Sequence, residues 1–268
     1  MKISDSTILI TGASGGIGGA IARQLAQRSA TLILINRDSD KLAAFAAELR
    51  TSGGKAIPLA GDLATPGEPA RLVQDALAQA GTIDILINCA GVQNFGFFAE
   101  ESAADTATLF NINTIAPIAL TNALLPHLLK KGKGQIVNLG SIFGSIGFPC
   151  FASYSASKFA LRGFSEALRR ELTGTGIGVT YVAPRFTRTA FNRSAVTRMA
   201  NALKMNQDDP ESVAASVIAA IERNDRERYL GWPEKLFVRI NSILPRLVDP
   251  RLIKQVDLMR PFATESTR

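Results

Sequence analysis

Tyr154 and Lys158 stand four residues apart, so on a helix their side chains share one face. A tyrosine hydroxyl titrates near ~10 and is a sluggish acid or base at neutral pH. A lysine cation about 4 Å away, at an effective dielectric near 20, contributes ~4 kcal/mol, or about three pK units. The pair therefore predicts a phenol drawn toward ~7, where general acid–base catalysis works best. Tyr–x–x–x–Lys is also common as a plain surface pair. Ser141 favours chemistry, because it lies just past the apolar run Gln135–Leu139, at the sheet edge where a substrate carbonyl would approach.

A second constellation is the glycine turn Thr11-Gly12-Ala13-Ser14-Gly15-Gly16-Ile17-Gly18. It follows a short apolar run, Thr7–Ile10, and opens a helical pattern with Ile17, Ile21 and Leu25 on one face. Glycines let a backbone pass close under a pyrophosphate, and the helix behind them offers free N–H groups and a positive dipole end. In this strand–turn–helix setting Gly12, Ser14, Gly15, Gly16, Ile17 and Gly18 are expected to cradle a dinucleotide. A tight turn without a ligand is the alternative. Cys89, Cys150 and the single His127 show no metal-ligand spacing and make no disulfide framework, so no metal is expected.

The elements that must position these groups follow from the pattern. Thr7–Ile10, Thr31–Ile35, Ala56–Leu59, Ile83–Ile87, Gln135–Leu139, Gly178–Val182 and Glu227–Leu230 read as strands. Helical patterns fall between them: Asp38–Arg50 with Asp38 as N-cap, Pro66–Ala80, Ala103–Leu129, Tyr154–Thr173 and Pro210–Arg223. Most of these strands are continuous apolar runs, which implies burial on both faces and parallel pairing. The expected fold is α/β, a single-domain doubly wound (Rossmann-like) parallel sheet of about seven strands over residues 1–231, with a helical extension from 232 to 268. Ligands of such sheets bind beyond the carboxyl ends of the strands, which makes 11–19, 36–41, 60–65, 88–101, 140–153, 183–205 and 231 onward the candidate walls.

Composition agrees with a globular chain of 268 residues, 46% apolar and 20% charged. The net charge of +7 raises nucleic acid, a membrane surface or an acidic partner. Few basic residues cluster and no nucleic-acid motif appears, which argues against nucleic acid. The uncharged run from Thr106 to Leu129 has the length of a membrane span, but Asn111, Asn113, Asn122, Pro117 and Pro126 interrupt it, so a buried helix is expected. The opening residues have one basic side chain, then acid and glycine where a signal peptide needs an apolar core, so the cytoplasm is the expected compartment.

The turn's spacing is Gly12-x-x-x-Gly16-x-Gly18, and with it the chain resembles the short-chain dehydrogenase/reductase family, whose opening is TGxxxGxG. Asn88-Cys89-Ala90-Gly91 resembles that family's NNAG element, Asp62 falls where its adenine-contacting aspartate does, and Tyr154–Lys158 matches YxxxK. The likeness spans roughly residues 5 to 230. It implies a hydride transfer between nicotinamide and a carbonyl or alcohol, and a catalytic tetrad of Asn113, Ser141, Tyr154 and Lys158. In those roles Ser141 orients the carbonyl, Tyr154 donates the proton, Lys158 holds the ribose hydroxyls and tunes the tyrosine, and Asn113 binds a water linking Lys158 to solvent. The resemblance also assigns Asp62, Leu63, Asn88, Ala90 and Gly91 to the cofactor. Ala183-Pro184-Arg185-Phe186-Thr187-Arg188-Thr189 resembles the family's Pro-Gly segment, so Pro184, Thr187 and Thr189 are expected at the nicotinamide. Arg185 stands where glycine is usual. Either the loop takes another path, or the guanidinium meets phosphate or an anionic substrate.

Nicotinamide choice is read at the end of the second strand, where an acid would hold the ribose 2′-hydroxyl and repel a 2′-phosphate. Asn36-Arg37 has no acid, Arg37 offers a planar fork, and Lys41 adds charge, so NADP(H) is favoured over NAD(H). Against this, Gly15 stands where many NADP-dependent relatives carry a basic residue.

Eight of the fourteen phenylalanines lie on candidate walls: Phe95, Phe97, Phe98, Phe143, Phe148, Phe151, Phe186 and Phe191. They predict a long apolar pocket, with Cys150 among its lining, unless they only pack the loops together. The stretch Arg185–Lys204, which in this family is the substrate lid, carries five basic residues and no acid. A basic lid over an apolar cleft suits a 3-oxoacyl thioester on acyl carrier protein or coenzyme A; a solvated basic face is the plain alternative. A free lipid, steroid or aromatic ketone is the second substrate class, and a non-enzymatic NADP(H)-sensing binding module the third reading. Leu236, Phe237, Ile240, Ile243 and Leu244 make an apolar stripe opposite Lys235 and Arg239. The extension is expected to pack on its own domain as a flap covering the substrate cleft, or on a partner subunit as the oligomer interface, and less often on a membrane surface. Homodimer or homotetramer assembly is implied by the family, through the helices bearing Asn113 and Tyr154.

Overall fold

A computed structural model describes residues 2–265 of the chain. Seven strands form one sheet: β1 Thr7–Thr11, β2 Thr31–Asn36, β3 Lys55–Ala60, β4 Ile85–Asn88, β5 Gly134–Leu139, β6 Ile177–Ala183 and β7 Glu227–Tyr229. Their order is β3-β2-β1-β4-β5-β6-β7, and every neighbouring pair is parallel. The order reverses between β1 and β4, so the loops leaving those two strands diverge and open a crevice there. The expected doubly wound sheet is the observed one.

Successive residues of a strand point to opposite faces, and the sheet divides the apolar residues accordingly. On one side Ile8, Ile10, Leu32, Leu34 and Val137 pack with Ile21, Leu25 and Val217 from α1 (Gly16–Ala26) and α8 (Pro210–Arg223). On the other, Leu9, Ile33, Leu86 and Ile136 meet Leu72, Leu124 and Leu168 from α3 (Glu68–Ala80), α5 (Ala116–Lys131) and α6 (Ala152–Glu171). Asp38 caps α2 (Ser39–Thr51), its carboxylate accepting the Lys41 N–H at 3.0 Å.

The uncharged run folds as α4 (Ala103–Phe110), a π-helical turn at Asn111–Ile115, and α5. Among the described residues this is the one helical stretch long and apolar enough to cross a membrane by length and composition. Its Leu120, Leu124 and Leu128 are fully buried against the sheet. His127 Nε2 accepts the Ile83 N–H at 3.3 Å and ties α5 to the approach of β4.

Three helices frame the site beyond the strand–helix alternation: α7 (Ser194–Ala202) in the segment after β6, then α9 (Glu234–Ile243) and α10 (Pro245–Glu265). α10 lays Met259 and Ala263 against Ala195, Val196 and Met199 of α7, and both helices join the cluster around Phe151 and Tyr154.

Candidate active site

One cavity of about 970 Å³ lies along the carboxyl ends of the strands, glycine-walled at one end and phenylalanine-walled at the other. At the glycine end β1 and β4 are held together closely. Thr11 Oγ1 accepts the N–H groups of Cys89 and Ala90, each at 3.0 Å. Gly12 has φ +65, and a Cβ there would come 2.9 Å from the Ala90 Cα. A Cβ at Gly18 would collide with the Gly12 carbonyl oxygen. These glycines are required by packing as well as by any ligand.

The N-terminus of α1 has no side-chain cap and no acid in its first turn. Its free N–H groups and positive dipole end therefore remain available to an anion at the cavity wall. Gly12, Ser14, Gly15, Gly16, Ile17, Gly18, Arg37, Lys41, Asp62, Leu63, Ala90 and Gly91 all line the space. Asn36 donates to Ser14 Oγ at 2.6 Å, and no acid stands at the end of β2. This donor-rich, acid-poor cradle fits the pyrophosphate and adenosine half of a dinucleotide. Asn88 does not reach it. Its side chain is buried below, where Nδ2 donates to Asn138 Oδ1 at 2.8 Å, and Asn138 in turn donates to Ser165. As the last residue of β4, Asn88 turns its side chain into an interior amide relay.

Ser141, Tyr154 and Lys158 line the middle of the same cavity. α6 presents Tyr154 and Lys158 on one face, and both are buried. Lys158 Nζ donates to the Leu139 carbonyl at 3.1 Å, at the end of β5, and lies 5.8 Å from the Tyr154 ring centre. Burial pulls the lysine down to about 8. Burial also pushes the tyrosine up to about 12, against the smaller opposing effect of its hydrogen bond with Ser141. The expected phenol near neutrality is therefore not what these side chains produce. Desolvation of the phenolate is the larger effect, and the Lys158 ammonium is directed at the Leu139 carbonyl. In this arrangement Tyr154 is a protonated donor, held by Ser141.

Asn113 sits in the π-helical turn and is fully buried. Its Oδ1 accepts the Val92 N–H at 2.9 Å, while Nδ2 donates to the Val92 carbonyl at 2.9 Å and to Ser157 Oγ at 3.1 Å. The side chain does not line the cavity; it braces the loop after β4 against α6. Gly91 fits between, since a Cβ there would lie 3.3 Å from Asn113 Oδ1 and 3.6 Å from Lys158 Nζ.

At the far end Phe143, Phe148, Phe151, Phe186 and Phe191 line the cavity. Phe143 and Phe148 stack at 4.5 Å, and Phe143 and Phe151 each meet the Tyr154 ring edge-on at 6.3 and 6.2 Å. Phe95 and Phe97 pack behind this wall, Cys150 is buried with them, and Phe98 faces solvent, so the wall is narrower than the phenylalanine pattern implies. The rest of the wall is Val196 and Met199 of α7, inside the candidate wall 183–205, and Phe237, Val248 and Leu252 of α9 and α10, inside the candidate wall from 231 onward. Their helical spacing was visible in the sequence, but spacing alone does not say what a stripe faces.

Pro184, Thr187 and Thr189 also line the cavity, and Thr189 lies against Gly16 of the glycine turn. Arg185 has no left-handed backbone. Its Nε and Nη2 donate to Asp208 at 3.0 and 2.8 Å, and its Nη1 donates to Glu234 at 3.0 Å. The loop therefore takes another path than one with a left-handed residue at this position, and the guanidinium, meeting two carboxylates, fastens it to Asp208 and to α9.

This geometry agrees with what the chain is similar to. The short chain dehydrogenase family pattern matches residues 6–200. The ketoacyl reductase HetN of Nostoc sp. is 35% identical over 253 residues, covering 92% of this chain and 88% of that one. The bovine (Bos taurus) dehydrogenase/reductase SDR family member 7B is 30% identical, covering 91% and 79%. A short chain dehydrogenase/reductase from Burkholderia phymatum, solved in complex with NAD, superposes with a TM-score of 0.84 at 25% identity, covering 92% and 96%. A Sphingobium yanoikuyae short-chain dehydrogenase in complex with NADPH gives 0.79 at 30% identity, covering 91% and 95%. With the doubly wound sheet, the uncapped glycine turn and the Ser141–Tyr154–Lys158 centre in one cavity, the chain belongs to the short-chain dehydrogenase/reductase family of NAD(P)-dependent oxidoreductases.

Proposed function

We propose that this protein is an NADP(H)-dependent carbonyl reductase of an apolar substrate, with a 3-oxoacyl thioester as the favoured class. The observation that carries the reading is the position of Tyr154 and Ser141 at the junction between the glycine-walled and phenylalanine-walled ends of one cavity. The nicotinamide cofactor, when bound, supplies or accepts the hydride. The glycine turn, Asp62, Leu63, Ala90 and Gly91 would hold it, with Pro184, Thr187 and Thr189 at its reactive end. Ser141 orients the substrate carbonyl by hydrogen bonding, and Tyr154 gives its proton to the forming alkoxide. Lys158 contributes positive charge beneath the phenol, and Asn113 keeps the loop after β4 seated.

Preference for the 2′-phosphate is supported by Arg37 and Lys41 on the cavity wall and by the absence of an acid at Asn36. The thioester is supported by the similarity to a ketoacyl reductase and by the phenylalanine wall closed over by α7 and α10. Arg188, Arg193 and Lys204 are exposed on the lid and suit an acidic acyl carrier or coenzyme A. Exposure of Ile115 and Phe159, on the π-helical turn and α6, supports a homodimer or homotetramer. A reducing cytoplasm fits Cys89 and Cys150, both free thiols.

The test is a panel assay with NADPH and NADH side by side, against a 3-oxoacyl thioester, an aromatic ketone and a steroid ketone. The reading expects the thioester with NADPH to give the highest kcat/KM. Turnover confined to the other ketones removes the thioester, and equal use of NADH removes the cofactor preference.

A further inference from the structure

The outer corner where α9 meets α10 exposes side chains that water does not favour. Ile243 is 76% exposed, Leu244 54% and Leu247 67%, with Pro245 between them also facing solvent. Leu236, 46% exposed, falls on the α9 stripe that leads to Ile243, and Trp232, 69% exposed, lies just before the first turn of α9. The inward faces of the same helices are spent: Val238 and Val248 are buried, and Phe237 and Leu252 line the cavity. A contiguous outward apolar ridge of this kind marks a docking surface.

Arginines outnumber the acids around it, with Asp249 the exposed acid beside Arg246 on α10. Arg239 of α9 shares an open cavity of about 610 Å³ with Arg169, Arg226 and Arg228. The acids in that cavity are occupied, Glu166 by Arg170 and Asp225 by Arg223, while Glu227 lies 3.9 Å from Arg162. Arg246 stands exposed within the ridge itself. Positive charge beside protruding Trp, Ile and Leu complements an anionic phospholipid surface, with headgroup phosphates over the arginines and the ridge below them. A second copy set on the same ridge would bring arginines against arginines.

We propose that the α9–α10 corner docks the protein peripherally on an anionic phospholipid bilayer. The two helices that would touch the lipid also wall the apolar cavity, so docking sets that wall at the membrane surface. The inference does not depend on which carbonyl compound is reduced.

Flotation of the full chain with vesicles tests it, using phosphatidylcholine alone and phosphatidylcholine with about a third phosphatidylglycerol. The wild type should float with the anionic vesicles at low salt, and at least about tenfold less with neutral vesicles or in high salt. Ile243→Asp/Leu247→Asp should lose about tenfold of that binding while melting temperature and NADPH affinity hold. Absence of flotation by the wild type, or equal flotation by the double variant, overturns the proposal. So does a wild-type oligomer that the double variant splits, because the corner would then be a subunit interface.

Discussion

The guanidinium of Arg185 grips the carboxylate of Asp208 with two hydrogen bonds, from Nε at 3.0 Å and Nη2 at 2.8 Å. Asp208 lies at the far end of the lid, where its backbone also pairs with Phe186 and Arg188. The third guanidinium contact, to Glu234, reaches the first turn of α9. One side chain thus closes the loop after β6 over the cavity and anchors the extension to it. Hydrogen bonds to charged groups contribute roughly 1.5–3 kcal/mol, and lysine cannot reproduce the planar fork.

Arg185→Ala should therefore raise KM for a bulky substrate by about tenfold, with a smaller change in kcat. It should also lower the melting temperature by several degrees and speed proteolysis within 186–207. Arg185→Lys should recover part of each effect. Steady-state kinetics, thermal melts and limited proteolysis read all three; an unchanged KM with normal proteolysis would separate the clamp from the lid.

Lys158 sits at about 8 against an ordinary 10.5, because burial penalises its charge. Between those values the unfolded chain binds more protons than the folded one, so this group's contribution to stability rises with pH across that window. Below about 8 the buried cation carries its full penalty. Tyr154 has the opposite sign: its folded value of about 12 lies above 10.0, so its contribution is present below 10 and lost toward 12. For reduction, kcat/KM should be level below about 8 and fall above it as Lys158 loses its charge. Lys158→Arg should move that limb upward in a pH–rate profile. A limb near 7 that is insensitive to the substitution would instead indicate an acidified phenol.

Arg37 and Lys41 are the exposed cations on the cavity wall past β2. Arg37→Ala/Lys41→Ala should raise KM for NADPH about tenfold and leave KM for NADH nearly unchanged, since only the former presents a 2′-phosphate. Parallel titrations with the two nucleotides check this. Equal losses for both would place these side chains elsewhere in binding.

The sheet was legible because its strands are unbroken apolar runs, and β1, β4 and β5 are indeed buried throughout. The glycine turn was legible for the same local reason: backbone approach and positive φ leave few choices of residue at Gly12. Side chains whose role depends on direction were not. The types and positions of Asn88 and Asn113 gave no sign that both amides turn into the protein interior, Asn88 to Asn138 and Asn113 to Val92 and Ser157. The shift of Tyr154 reversed sign because spacing gives proximity to Lys158 but not the burial that opposes it. Arg185 found two carboxylates, 23 and 49 positions away, which no local pattern could supply. Phe98, counted with the wall, faces outward because the short 3-10 turn that begins with it, Phe98–Glu100, buries none of its residues.

The most direct measurement is single-turnover and steady-state reduction of the best ketone in the panel by Tyr154→Phe, which deletes one oxygen from a ring packed between Phe143 and Phe151. If Tyr154 delivers the proton, kcat falls by roughly 10²–10⁴ while melting temperature and NADPH affinity stay at wild-type values. A kcat within about threefold of wild type, with cofactor still bound, would contradict that role.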